Sequence, residues 1–395
     1  MITNLVFDNF KCLDGKSFDL KNLNVFAGYN GRGKSSVLQS LLMLSQSTGH
    51  QLKRLHLNGD MIYLGEFDEI LSDVKKNYVG FKLSTDDPKT ESLMLGYSAS
   101  PVDPAVGVIS KCIINDRDFF DTASSLPTEG EQSPDSIPSR RFLGIMPETA
   151  LNLFSNIHYI SADRRGPVKF EERKDVPDVH RIHPYGDNAI NTIASYRDLI
   201  SPSMNLDKSD SISKSLTNLA SEWLGYIMDG ATVKVESALH SPVMTMHFNI
   251  GHDHDSRNFS SFNVGFGYSY ILSIIIAALI AKEGSIVIIE NPEAHLHGQA
   301  QSRLTQLLSK LAMRGVQVFV ETHSEHIING FRLEMLRDNC SLSNEDAAFF
   351  FFDLDFSVKP LKVEKNGKIL NWPDGFFNQE THDLAELMRL GAKVR

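Results

Sequence analysis

The sequence predicts an α/β fold in which a mostly parallel sheet presents a phosphate-binding loop, and three observations carry that expectation. A short apolar run, Leu23 to Ala27, stops at Gly28; Gly28, Gly31 and Gly33 fall within six residues; Lys34 and Ser35 follow. A helix-spaced set, Val37, Leu38, Leu41, Leu42 and Leu44, begins immediately afterwards, so the order is strand, glycine-rich loop, helix, and the loop fits G-x-x-x-x-G-K-[ST] in full. Far downstream, Ser285–Ile289 and Val316–Val320 are unbroken apolar runs of the kind buried on both faces of a parallel sheet.

The remaining elements follow in order. Residues 1–27 alternate apolar and polar and read as two strands with a turn near Asp14-Gly15, then the strand into the loop. Residues 36–48 read as the first helix, 50–72 as a loop, and 78–84, 92–98 and 107–114 as strands. Residues 120–140 are rich in Ser, Pro and acid and predict a mobile surface insertion. Residues 141–156 and 187–227 read as helical, with Ile157–Ser161 a short strand between them. The pattern then turns to hairpins at 233–239, 243–250 and 259–264, joined in part by the Gly251-His252-Asp253-His254-Asp255 turn, a solvated tip rather than a metal site. An apolar helix at 268–282, helices at 297–313 and 325–337, strands within 348–363 and a last helix near 383–390 complete the chain. The expected organisation is one domain: an N-terminal lobe at 1–119, the insertion at 120–140, a mostly helical part at 141–230, and a segment at 231–395 carrying the second half of the site.

Composition narrows the class. The 395 residues are 42% hydrophobic and 22% charged, as in globular proteins. Cys12, Cys112 and Cys340 lie far apart with no metal spacing, which points to a reducing compartment. The start has no basic-then-apolar leader pattern. Tyr270–Ala281, twelve residues with one serine, is too short to span a bilayer, so a cytoplasmic protein with no membrane partner is expected. The net charge of −10 lacks the basic footprint of a dedicated nucleic-acid binder.

The motifs define a candidate nucleotide site. Glycines in the loop let successive N–H groups turn inward around phosphate, the helix start adds its positive dipole end, Lys34 reaches the β- and γ-phosphates, and the Ser35 hydroxyl holds Mg²⁺. Glu290, at the end of an apolar strand, supplies a second Mg²⁺ anchor. The next strand ends in Glu321-Thr322-His323-Ser324, with His323 placed to reach a γ-phosphate. Upstream, Val264-Gly265-Phe266-Gly267-Tyr268-Ser269 opens the apolar helix with free N–H groups and a hydroxyl. One loop already cradles a triphosphate, so a second such element implies closure by another subunit. His295, His297, His323 and His326 are weighed as a metal set and read instead as loop residues. Arg164 and Arg165 read equally as phosphate contacts or as an ion-paired loop. Asp353 and Asp355 are too little chain for a nuclease domain.

Together, the phosphate loop, the glycine–serine element, Glu290-Asn291-Pro292-Glu293-Ala294-His295-Leu296-His297 and Thr322-His323-Ser324 resemble the ABC-type ATPase heads of the RecF, SMC and overcoming-lysogenization-defect (OLD) group. Asn366–Gln379 is similar to a subgroup of bacterial ATPases with a C-terminal domain of unknown function, often found in phage-defence or mobile loci. The resemblance implies a P-loop NTPase of ABC ATPase-head type: a mixed sheet core, an antiparallel β subdomain and a helical insertion. It implies ATP and Mg²⁺ as cofactors and a homodimer that sandwiches them. Gly28, Asn30, Gly31, Arg32, Gly33, Lys34, Ser35 and Ser36 match the nucleotide loop, Glu290 the acid of the Mg²⁺ shell, His323 the switch histidine, and Gly265, Gly267 and Ser269 the element given across the dimer. Where the family usually has a glutamate that polarises water, this chain has Asn291, which can orient water but not take its proton. Slow ATP hydrolysis is therefore expected, with Glu293 the candidate replacement. The expected role is a nucleotide-dependent dimerising switch controlling a partner effector in phage defence. The alternatives are an ATP-stabilised scaffold with little hydrolysis and a RecF-like DNA-repair ATPase on duplex DNA.

Overall fold

The computed structural model describes residues 1–121, 141–142, 145–173, 181–196, 198–207, 210–237, 242–250, 257–337, 342–373 and 379–392. The expected insertion at 122–140, the 251–255 turn, Cys340 and part of the Asn366–Gln379 stretch lie outside them.

The chain opens with a hairpin of β1 (Ile2–Asp8) and β2 (Ser17–Asp19), and then enters β3 (Leu23–Gly28), which leads through the loop to α1 (Lys34–Gln46). β4 (Arg54–His56), β5 (Tyr78–Thr85), β6 (Ser92–Ala99), β7 (Val106–Ile114) and the short β8 (Arg117–Asp118) join β1 and β2 in one antiparallel sheet, ordered β2-β1-β5-β6-β7-β4 with β8 on β7. Two-residue strands β9 (Phe120–Asp121) and β10 (Arg141–Phe142) pair with each other. The helix expected over 141–156 is only α2 (Glu148–Ser155): Pro147 sits at its N-cap, where a proline opens a helix and cannot lie inside one.

The middle of the chain is less helical than its composition suggests. β11 (Ile157–Ile160) enters the core sheet, β12 (Glu171–Glu172) joins a later sheet, and α3 (Ala189–Ser195) is followed by the β13 (Leu199–Ile200) and β14 (Lys214–Ser215) pair before α4 (Leu216–Ile227). β15 (Thr232–Ser237), β16 (Val243–Ile250) and β17 (Arg257–Ser260) form antiparallel pairs on which β12 also docks. Then α5 (Phe266–Ile280), β18 (Ile286–Glu290), α6 (Gly298–Met313), β19 (Gln317–Glu321), α7 (Glu325–Glu334), β20 (Ala347–Phe352), β21 (Val358–Leu361) and α8 (Gln379–Gly391) complete the chain.

The core sheet runs β11-β18-β19-β3-β20-β21; every pair is parallel except β20 with β21. Its strands are apolar throughout because both faces are covered. Leu23, Val25, Val287, Ile289, Val318, Val320, Phe349 and Phe351 join the helices α4 to α7 in one core. The alternate residues Phe26, Ile286, Ile288, Phe319, Phe350 and Phe352 join α1, α2 and the antiparallel sheet in the other. This three-layer arrangement brings the carboxyl ends of β3, β18 and β19 side by side, and that edge carries the candidate site. No helix among the described residues is long and apolar enough to cross a membrane.

Candidate nucleotide site

The loop after β3 is held open by local rules. Gly28 has φ +126°, and a Cβ there would stand 2.3 Å from the Phe352 carbonyl oxygen of β20. Only glycine meets both demands. Gly33, also left-handed, is the N-cap of α1 and offers no side chain to the first turn, so the leading N–H groups remain available to a ligand. Asn30 and Gly31 are exposed at the tip, and Arg32 stacks 4.4 Å from the Phe356 ring in the β20–β21 turn. Lys34 is 3% exposed; its ammonium donates to the carbonyls of Gly28 (3.2 Å) and Tyr29 (2.8 Å). Burial pushes its pKa down, and Glu321 and Glu293 oppose that. Ser36 lies one residue further along the same first turn.

Three acids face this loop. Glu290 and Glu321 end adjacent parallel strands and stand opposite each other in register. Ser35 Oγ donates to Glu321 Oε1 at 2.9 Å, while Glu321 Oε2 is buried without a partner. Burial, opposed by the Ser35 hydrogen bond and reinforced by Glu290, pushes the Glu321 carboxyl up to about 7. Glu290, by contrast, receives the Ala162 N–H at 3.2 Å and a hydrogen bond from Tyr159. Burial raises its pKa, and those two hydrogen bonds and Arg164 pull it back. Glu293 has both oxygens engaged, accepting Thr322 Oγ1 at 2.8 Å and the His323 N–H at 2.6 Å. It clamps the loop after β18 to the loop after β19. His323 sits at the rim; desolvation first and the Lys34 charge second lower its pKa.

Asn291 follows Glu290 with φ +44°, its N–H donating to the Glu321 carbonyl at 2.9 Å and its side-chain oxygen buried without a partner. Asparagine tolerates that left-handed backbone better than most residues. Of the two readings of Arg164, the solvated or ion-paired loop does not hold. Arg164 is buried, lies 5.2 Å from the Tyr270 ring, and donates to the carbonyls of Ser161, Glu290 and Asn291. Arg165 pairs with Asp187 at 3.9 Å.

The second phosphate element opens α5. Gly265 is its exposed N-cap, in ordinary extended backbone, with no side-chain cap. Gly267 is buried; a Cβ there would meet the His295 carbonyl oxygen at 2.6 Å, so this glycine seats α5 against the loop after β18. The Ser269 hydroxyl is buried within the chain and has no hydrogen-bond partner.

The four histidines have separate surroundings. His295 lies against Tyr270 at 4.7 Å, His297 accepts the Gln299 N–H at the start of α6, and Gly298 packs on His326. No group of three His, Cys, Asp or Glu among the described residues could hold a metal unaided. Asp353 pairs with Lys359 and Asp355 accepts the Ser357 N–H, both within the β20–β21 turn. The residues to which sequence reasoning assigns no role are Glu321, Thr322 and Tyr159. Glu321 is a carboxylate at the end of a buried strand, but its place beside the phosphate loop comes only from the sheet order.

The fit to a magnesium nucleotide can be judged from these groups. Bare amides at a helix start suit phosphate, Lys34 needs only to exchange carbonyls for phosphate oxygens, and the unpartnered Glu321 oxygen suits a hard cation held by one or two carboxylates plus phosphate.

Comparisons with known proteins bear on the family and the fold. A family model described as AAA ATPase domain matches residues 149–328, and one described as a protein of unknown function (DUF3696) matches 342–387. The DNA replication and repair protein RecF of Francisella tularensis subsp. novicida is 43% identical over 56 residues, which is 14% of this chain and 16% of that protein. The chain therefore matches under a fifth of the length of that curated relative. A crystal structure of the SMC head bound to the C-winged-helix domain of ScpA superposes with a TM-score of 0.50 at 14% identity, covering 92% of this chain and 98% of that one. This likeness shows the fold. The loop, the strand-end acids and the Thr322-His323 segment lie on one sheet edge, and the AAA ATPase domain match over 149–328 together with the SMC-head fold supports a P-loop ATPase.

Proposed function

We propose that this ATPase is a nucleotide-dependent dimerising switch. Two copies would close over two Mg-ATP molecules, and a separate effector would read the closed state, in a phage-defence setting in the cytoplasm. The observation that carries this reading is the unequal completeness of the site. The loop of α1 and the acids of β18 and β19 offer a grip on one side of a triphosphate, while Gly265 exposes an uncapped helix start at α5. A second copy is the natural source of the missing side. The SMC head bound to a ScpA domain is a precedent for a partner docking on a head of this fold.

In this reading the bound Mg-ATP supplies the scissile phosphate and its charge neutralisation. Backbone amides of 31–36 would bind phosphate oxygens, Lys34 would exchange the Gly28 and Tyr29 carbonyls for them, and Ser35 and Glu290 would hold the cation. Glu293 fixes the His323 loop and, through it, the position of the attacking water. Asn291 orients that water without accepting its proton, and losing a general base costs on the order of 10²–10⁴ in rate. Slow turnover and a long-lived closed dimer follow.

Asn291 also favours a second reading, an ATP-stabilised scaffold that barely hydrolyses. A RecF-like role on duplex DNA has only the short match in its favour, and the net charge of −10 weighs against it. One experiment tests the main reading: measure mass by light scattering with and without ATP alongside steady-state phosphate release. The switch predicts an ATP-dependent doubling of mass that reverses as phosphate appears. A dimer that never reopens favours the scaffold, and a chain that binds ATP yet stays monomeric at saturation overturns both.

A further inference from the structure

We propose that Glu321, on the strand between the phosphate loop and Glu290, is a cation-holding residue that shares the divalent metal with Ser35 and Glu290. Glu321 takes this role only if a metal–nucleotide complex occupies the site as set out above.

The case is geometric. Glu321 is 6% exposed, and its Oε1 accepts the Ser35 hydroxyl at 2.9 Å. Its Oε2 is buried with no partner at all. A buried carboxylate oxygen left bare is costly, and such groups normally gain a hydrogen bond, an ion or a metal. The neighbouring acids are already engaged. Glu293 has both oxygens on Thr322 and His323, and Glu290 holds the Ala162 N–H and Tyr159. Lys34, the cation that acts on Glu321, is hydrogen-bonded to the Gly28 and Tyr29 carbonyls. Glu321 therefore combines a free oxygen with a direct contact to the hydroxyl that the motif assigns to Mg²⁺. Magnesium is commonly held by one or two carboxylates with phosphate oxygens completing the shell. Glu290 and Glu321, paired in register, are two such carboxylates.

The test uses the full chain and reads metal binding, not turnover. Mn²⁺ affinity is measured by electron paramagnetic resonance in the presence of a non-hydrolysable ATP analogue, and nucleotide binding is measured separately in EDTA. Glu321→Gln keeps the size and the acceptor for Ser35. It should keep nucleotide binding in EDTA while losing Mn²⁺ affinity by about tenfold or more, and Glu321→Asp should recover part of that loss. Unchanged Mn²⁺ affinity in Glu321→Gln overturns the assignment. If Glu321→Gln does not fold, Glu321→Asp decides: a loss of about threefold or more supports the role, and parental affinity overturns it. A parent chain that binds no nucleotide even in EDTA overturns the nucleotide reading itself, a result distinct from a metal-specific failure.

Discussion

Helices α1 and α5 both begin without a side-chain cap, yet the two starts are built on different rules. At α1 the chain is held in place by constraints from three sides: Gly28 against Phe352, Arg32 against Phe356, and Lys34 on two carbonyls. At α5 the N-cap backbone is ordinary, Gly265 is open to solvent, and the Ser269 hydroxyl is buried without a partner. The first start is a preformed site. The second is a surface whose groups must still be completed, and that is the difference expected between a residue set that binds within one chain and one that serves another.

The largest effect should come from breaking the preformed side. Lys34→Ala removes a buried cation whose strongest interactions, in the nucleotide-bound state, are charge-assisted. A loss of roughly 3 kcal/mol, or about a hundredfold in ATP affinity, is expected by calorimetry. Parental affinity in this variant would remove α1 from the comparison altogether.

Glycine replacements sharpen it. Gly28→Ala meets backbone atoms of β20 at 2.3 Å and keeps an unfavourable φ, so a loss of about 3 kcal/mol or more in folding stability is expected along with ATP binding. Gly267→Ala meets only the His295 carbonyl at 2.6 Å, with an ordinary backbone, and should cost about 1–3 kcal/mol while leaving nucleotide binding by the monomer intact. Equal losses of ATP affinity in the two would mean that α5 already shapes the first site.

Acid should act unequally on the two halves. His158 on β11 shares a strand face with Ile160, on the α5 side of the sheet. Burial first, and Arg181 second, push its pKa down to about 4. The unfolded chain takes up this proton near pH 6.5 and the folded one near 4, so the stability His158 contributes is full above pH 6.5 and is lost as pH falls toward 4. Glu321 titrates with the opposite slope: its raised pKa means that stability falls as pH rises from the ordinary carboxylate range to about 7. Hydrogen exchange at pH 5 against pH 7 should therefore show α5 and β11 amides losing protection that His158→Gln preserves. Uniform loosening of α1 and α5 would contradict this.

How much of this the sequence discloses depends on distance along the chain. The loop from Gly28 to Ser36 is local, so the motif, the strand before it and the helix after it read directly. Glu290 reads almost as well, because a strand-end acid has a recognisable context. Glu321 does not, because what makes it important is strand order: β19 lies between β18 and β3, and β3 comes from more than 250 residues earlier in the chain than the other two. Pattern alone does not fix which strands are neighbours. Arg164 stays open in sequence for a similar reason: its packing against Tyr270 and its bonds to the Glu290 and Asn291 carbonyls exist only in space. The burial of the Ser269 hydroxyl is a matter of helix phase, and the motif gives the position without the direction.

Ser269 yields the smallest effect and the finest discrimination. Its hydroxyl is buried and unpartnered, so Ser269→Ala removes a polar group that gains nothing from the monomer, and stability should change by less than about 1 kcal/mol, with either sign. ATP affinity of the monomer should not move. The ATP-dependent dimer is different. If α5 rotates on closure to present this hydroxyl to the partner's nucleotide, the variant should weaken dimerisation by about 1 kcal/mol, or a few-fold in dissociation constant, since that is the usual worth of one neutral hydrogen bond. If light scattering finds the parental dimer constant, then the exposed amides of the α5 start, and not the serine, complete the second site, and the buried hydroxyl is simply the conformation the dimer keeps.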